Sequence, residues 1–279
     1  MGRYFCGWYY RCQSDKQTLA IIPSYHKTRT ENFSEIQFVT DFNAFHIPFP
    51  YAAFEKSRDA VTIEDNYFGL DGIKLSIQKN NFYAHGKLHF GPITEIQYDI
   101  MGPFKFIPFM QCRHSVYSMR HFVNGEITIN GIPHFFQDAV GYIEGDRGRS
   151  FPRKYIWTQC IIPDGSFMLS IADVPFGKLY FTGIIGIVYY KGREYRLATY
   201  LGAKVIKIAP DEIIVRQGNY TLILEPDGKL GQPLHAPVSG TMNRVIHEHP
   251  SCKIKYRFEK NGIPLLEWDA QNAAFEFEY

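Results

Sequence analysis

Apolar and polar side chains alternate with a period of two along much of this chain. Glu126-Ile127-Thr128-Ile129-Asn130 puts both isoleucines on one face, and Lys253-Ile254-Lys255-Tyr256-Arg257-Phe258 sets charge against apolar bulk residue by residue. Successive side chains of a strand point to opposite sides of a sheet, so this rhythm predicts half-buried strands. Ile213-Ile214-Val215-Arg216 and Tyr220-Thr221-Leu222-Ile223-Leu224 read as two arms of a hairpin around Gln217-Gly218-Asn219. Turn signals recur at short intervals, among them Asp71-Gly72, Asn124-Gly125, Asn130-Gly131, Asp164-Gly165 and Asn261-Gly262. No long amphipathic helix is visible. One short helix is expected within residues 49–61, where Ala52, Ala53, Glu55 and Lys56 are helix formers. Many short strands at regular spacing predict an all-β sandwich or barrel, closed or split into two sheets because exposed edges aggregate. The polar, Gly-rich stretch after Gly131-Ile132-Pro133-His134 sets the expected boundary, with domains over 1–134 and 135–279.

Composition sharpens the class. The chain has 279 residues, 45% hydrophobic and 21% charged, which is globular and not disordered. Aromatic residues reach 16%, a load that favours strands and apolar cavities. Thirty Lys+Arg stand against 28 Asp+Glu, and that balance gives no reason to expect nucleic acid as a partner. The amino terminus lacks the apolar run of a secretory signal. The most apolar stretch, residues 179–190, is too short to span a bilayer and is interrupted by Thr182, Gly183 and Gly186. A soluble cytoplasmic protein with at most peripheral membrane contact is expected. The five cysteines form no C-x-x-C pair, so reduced, mostly buried thiols are expected instead of a disulfide framework or a structural zinc site.

The common chemical motifs are absent: no phosphate-cradling glycine loop, no dinucleotide fingerprint, no nucleophile elbow and no H-E-x-x-H. His114 shares strand parity with any partner two residues away, as do His85 and His89, but spacing fixes no third ligand. No metal and no cofactor are expected. Arg147, Arg149, Arg153 and Lys154 form a basic cluster. It either holds a phosphate or carboxylate of a ligand or pairs with Glu144 and Asp146 nearby.

The informative stretch is Gly141-Tyr142-Ile143-Glu144-Gly145-Asp146-Arg147-Gly148-Arg149-Ser150-Phe151-Pro152, followed by Tyr155-Ile156-Trp157-Thr158-Gln159-Cys160. A charged turn leads into a strand with Tyr155, Trp157 and Gln159 on one face. A glutamine two residues from a tryptophan suits a mostly apolar cavity wall with a fixed polar contact. This stretch resembles the signature of the tocopherol cyclase-like family, lipocalin-like proteins related to carotenoid 1,2-hydratases. Gly7-Trp8-Tyr9-Tyr10 is similar to the family's opening G-W-Y-F. Phe90-Gly91-Pro92-Ile93 and Met101-Gly102-Pro103 are similar to its middle section, and Ile171-Ala172-Asp173-Val174-Pro175 and Ala198-Thr199-Tyr200 to its later one. The resemblance implies an all-β chain of two packed lipocalin-like (calycin) antiparallel β-barrels. It also implies a hydrophobic ligand such as a prenyl quinol, another isoprenoid or a lipid.

The activity so implied is cyclisation of a prenylated quinol, or hydration of an isoprenoid double bond. Both begin with a proton delivered to an alkene, and both need a strong general acid in a dry, aromatic-lined site. Glu144, Asp146 and Asp173 are the candidate acids. Trp157, Gln159, Tyr155, Arg147, Arg149, His114 and Trp8 are the candidate ligand contacts. The alternative is a non-catalytic carrier of a hydrophobic small molecule. A buried carboxyl beside aromatic rings favours the enzyme; exposed caps and loop ion pairs favour the carrier.

Overall fold

The computed structural model describes residues 3–79, 81–107, 110–176, 179–227, 232–238 and 240–279. They form two compact units, each built on an antiparallel sheet. The first unit comprises Met1–Ile96, Cys112–Phe151 and His235–Arg244, and the second Gln97–Gln111, Pro152–Leu234 and Val245–Tyr279. The expected boundary between residues 134 and 135 falls inside one long strand, Ile132–Gly148. Its hydrogen bonds to both neighbours hold residues 132–148 in the first sheet, so Gly131 marks a hairpin and not a domain edge.

The first unit contains β1 (Tyr4–Gln13), β2 (Thr18–Lys27), β3 (Asn32–Thr40), β4 (Ala44–Pro50), β5 (Phe54–Lys56), β6 (Ala60–Ile63), β7 (Asn66–Gly69), β8 (Gly72–Lys79), β9 (Phe82–Phe90), β10 (Cys112–Ile129) and β11 (Ile132–Gly148). Their order across the sheet is β4-β3-β2-β1-β11-β10-β9-β8-β7-β6-β5. The two edge strands are therefore consecutive in sequence, joined by the 3-10 turn Tyr51–Ala53. That turn is all that forms of the expected helix. Phe54 and Lys56 beyond it pair with Ile63 and Val61 instead. The sheet is rolled: Phe54 of edge strand β5 lies 4.5 Å from Tyr25 of β2 and 6.1 Å from Trp8 of β1, ring centroid to centroid. Inside the roll sit Trp8, Tyr10, Leu19, Ile21, Ile36, Phe38, Phe68 and Ile127, among others. Burying each such side chain contributes about 1.5–3 kcal/mol.

The second sheet repeats the scheme. Its strands are β12 (Tyr155–Ile162), β13 (Gly165–Phe176), β14 (Leu179–Tyr190), β15 (Arg193–Ala198), β16 (Lys204–Ala209), β17 (Glu212–Gln217), β18 (Tyr220–Pro226), β19 (Gln232–Val238), β20 (Thr241–Lys260) and β21 (Ile263–Glu278). The path across the sheet is β15-β14-β13-β12-β21-β20-β18-β17-β16, with β19 off the path beside β20. The edges β15 and β16 are again sequence neighbours, joined by a 3-10 turn at Thr199–Leu201. A side-chain amide of β17 reaches across to β15 beside this turn. Gln217 accepts from the Ala198 backbone N–H and donates to the Arg196 carbonyl, each at 2.9 Å. The hairpin expected around Gly218-Asn219 is present, with Ile213 opposite Leu224. Residues 253–258 alternate exposed and buried as their sequence does. No helix among the described residues is long and apolar enough to cross a membrane.

Candidate active site

Strand parity decides which face each candidate takes. On β1, Cys6, Trp8, Tyr10 and Cys12 point into the roll of the first unit. Their partners on β11 are Arg147, Gly145, Ile143 and Gly141. Tyr142, Glu144 and Asp146 therefore share the outer face of that sheet. On β10, His114 is the direct partner of Asp146, and Val116 of Glu144. The register slips between Val116 and Ser118. Such bulges re-aim side chains beside functional sites.

The outer face holds a buried acid–base cluster. The two ring nitrogens of His114 each face a carboxylate: Nδ1 lies 3.0 Å from Asp146 Oδ1 and Nε2 lies 3.1 Å from Glu144 Oε2. The Asp146 contact is aligned as a hydrogen bond, whereas Nε2 is not well aligned on Glu144. Tyr142 donates its hydroxyl to Glu144 Oε2 at 2.6 Å, and the Cys112 thiol donates to Asp146 Oδ1 at 3.4 Å. His114 and Glu144 are buried, while Asp146 is the partly accessible member at 23% side-chain exposure. Burial works against the imidazolium, but the Glu144 and Asp146 carboxylates outweigh it and hold the His114 pKa well above its ordinary value. Only the doubly protonated ring carries an N–H on the side of each carboxylate. Burial, reinforced by Glu144, pushes the Tyr142 phenol far up, so it stays a donor. Burial, reinforced by Asp146, does the same for the Cys112 thiol.

One imidazole nitrogen and two carboxylate oxygens within 4.8 Å of one another also make a donor set for a divalent ion. Here each nitrogen already faces a carboxylate, so a metal would have to displace an ion pair. The arrangement as it stands sets one imidazole between two carboxylates.

Asp173 and the three β12 candidates belong to the second unit. Asp173, on β13 of the second unit, is half-buried and accepts from the Thr182 and Tyr279 hydroxyls at 3.5 and 3.4 Å. Tyr155, Trp157 and Gln159 are buried on one face of β12, as their spacing predicts. The core of the second unit takes the opposite face, with Ile156, Cys160 and Ile162. The expected cavity-wall strand therefore turns its polar and aromatic face away from the interior of its own roll. There Tyr155 donates its hydroxyl to buried Glu276. Trp8 and Arg147 lie on the inner face of the first sheet, opposite to His114, so the ten candidates do not form one site. Arg149 is exposed, and its carbonyl accepts from the Gly240 N–H at 2.8 Å.

No protein-family profile matches the chain. In sequence it is 26% identical over 127 residues to a protein of Oryza sativa subsp. japonica named "Probable tocopherol cyclase, chloroplastic". The match covers 43% of this chain and only 27% of the rice protein. The chain resembles the tocopherol cyclase-like family. Its fold is also that of solved lipocalin-like structures. Kievitone hydratase from Nectria haematococca aligns with a TM-score of 0.57 and 11% identity, over 99% of this chain and 89% of that one. CghA with Sch210972 aligns with a TM-score of 0.64 and 7% identity, over 99% and 88%. At these identities the likeness carries the fold alone.

Sequence reading missed three sets of groups. Tyr142 and Cys112 escaped it, although Tyr142 stands two residues before Glu144 and so shares its face. The third set is a buried cluster on the outer face of β2, β3 and β4. Glu35 is fully buried and meets Nε2 of both His26 and His46. Ser24 Oγ lies 2.8 Å from His26 Nε2, and Gln37 donates to Glu35 Oε1 at 3.2 Å. Ser24 and Glu35 face the same nitrogen of His26, so no serine–histidine–carboxylate relay forms. The signal was polar residues at Ser24, His26, Glu35 and Gln37, two apart and out of phase with the apolar face.

Proposed function

We propose that the chain is an enzyme of proton-initiated alkene chemistry acting on a prenylated quinol or related isoprenoid, with His114, Glu144 and Asp146 as its acid–base group. The carrying observation is the imidazole clamped between two carboxylates beneath a buried surface. An ordinary β core has no use for that charge, and burying it is costly unless it is fully paired. The likeness to a tocopherol cyclase supports the same reading.

The step balances within the site. A proton held among the three groups passes through Asp146 or Glu144 to the less substituted alkene carbon. A tertiary cation forms, and a quinol oxygen of the same molecule, or a water, adds to it. The proton lost by that oxygen returns to the carboxylate. Tyr142 fixes Glu144, and Cys112 helps fix Asp146. The protein would work in an aqueous compartment, the cytoplasm in our reading, with at most peripheral membrane contact.

The test is incubation with a prenylated quinol in D2O. The product should carry one solvent deuterium on the carbon next to the new C–O bond. Glu144→Gln and His114→Asn should each lower turnover by about 10²–10⁴-fold, the usual worth of general acid catalysis. Substrate bound but recovered without deuterium would make the chain a carrier. Undiminished turnover in both variants would remove the acid–base assignment.

A further inference from the structure

The inner face of the first unit holds a second cluster, separated from His114 by the thickness of the sheet. Near the start of β1, Tyr4, Trp8, Tyr25, Phe54 and Tyr117 gather around one end of the roll. Trp8 is buried, and the other four are partly buried and pack against the core. Tyr4 and Tyr25 lie 5.9 Å apart by ring centroid, and Trp8 stacks on Phe54 at 6.1 Å. Solvent therefore reaches a wall made of rings.

Two exposed cations face this wall. The Lys56 ammonium stands 4.8 Å from the centroid of the Trp8 ring. Arg147 is the cross-strand partner of Cys6, and its charge is felt by Tyr4, Cys6 and Tyr117. Neither cation has a carboxylate partner among the described residues. The adjacent carboxylates, Glu55 and Asp146, alternate onto the opposite faces of β5 and β11. A third cation, Lys27, lies over Tyr51 at 5.5 Å, next to Tyr25. Partly buried rings with unpaired cations above them are complementary to a molecule with an apolar body and a negative head.

We propose that this end of the first unit is a binding site for an anionic amphiphile, its apolar body against Trp8, Tyr25 and Phe54 and its head between Lys56 and Arg147. The site is independent of the chemistry assigned to His114. Gly145 sets its floor. A Cβ there would lie 2.9 Å from the Gly7 carbonyl oxygen and 3.1 Å from the Tyr117 ring, so only glycine lets Tyr117 and Trp8 close on β11.

The experiment is calorimetric titration of the full chain with oleate, with farnesyl diphosphate and with neutral farnesol. At least one anionic probe should bind at about one per chain, more tightly than farnesol and less tightly as salt rises. Oleate and the diphosphate separate a carboxylate head from a phosphate head. Lys56→Gln and Arg147→Gln, both at exposed positions, should each weaken that probe by about tenfold, the worth of one charge-assisted bond. Glu144→Gln should leave the affinity unchanged. Failure of both anionic probes, equal affinity in the Lys56→Gln/Arg147→Gln double variant, or loss on Glu144→Gln alone would each overturn the proposal. None of these outcomes bears on deuterium incorporation at the His114 site.

Discussion

His114 and Asp146 face each other directly across the β10–β11 ladder, with Nδ1 and Oδ1 3.0 Å apart. Thirty-two residues of chain separate them, yet the hairpin register makes them neighbours. Because Glu144 closes on the other ring nitrogen, the imidazole gains two anionic partners on folding, and its pKa rises. A group raised in this way stabilises fully below its unfolded pKa of about 6.5. That stability is lost as pH climbs through the folded value. Denaturation midpoints should therefore fall on the alkaline side in the wild type, and His114→Asn should flatten that limb. The ring protons should report a charged imidazole by NMR at pH 7.5. A neutral ring at that pH would contradict the clamp.

Glu35 carries the opposite sign. Burial alone would raise its pKa, but hydrogen bonds from His26 and His46 outweigh it and hold the carboxyl at about 2. Stability from this group is present above its unfolded pKa and is lost as pH falls from about 4.5 through 2. A shift of that size is worth on the order of 3 kcal/mol at neutral pH. Glu35→Gln should cost about that much at pH 7 and much less at pH 2.5, by urea unfolding at the two pH values.

His121 gives a separate acid limb. Its ring packs on Phe90 at 4.5 Å inside the first unit, and burial alone pulls its pKa down to about 4. The unfolded chain takes up this proton first, so stability falls between about pH 6.5 and 4. The loss approaches 2 kcal/mol by pH 5. His121→Phe should remove this limb while leaving the one due to Glu35. A Cβ on Gly141 would stand 2.3 Å from His121 Nε2, so Gly141→Ala should instead destabilise at every pH.

The strands were legible because alternation is a local property. Ile127 and Ile129 are buried on one face, and the Gly218-Asn219 hairpin has the register that its sequence implies. Asn124-Gly125 reads as a turn but is an irregularity inside β10, where the register shifts between Val123 and Gly125. The repeated strand order of the two units left no trace, because the pairing of β1 with β11 and of β12 with β21 joins segments more than 100 residues apart. The candidate acids divide for the same reason. The sequence suggests a charged turn at Glu144 and Asp146, but both lie on one face of the long strand β11, and His114 joins them only through the hairpin. Arg147 is adjacent to Asp146 in sequence and yet belongs to the other side of the sheet. Spacing along a strand gives the face but not which strand lies beside it.

Gln217 offers a test of how the second roll is closed. Its amide is the bridge between β15 and β17, where no ladder of backbone hydrogen bonds joins the edges in the sheet order. Truncation to alanine leaves the Ala198 N–H and the Arg196 carbonyl to find water or go unpaired. The residue is half-buried, so the cost should be about 1–2 kcal/mol in place of the larger penalty of a sealed site. The effect should be local. In Gln217→Ala, amide hydrogen exchange should speed up at Ala198 and along β16 and β17, and the protection of β12 and β13 should persist until global unfolding. Uniform loss of protection across the sheet would mean that the seam is coupled to the whole unit. Unchanged exchange at Ala198 would mean that the amide does not hold the edges together.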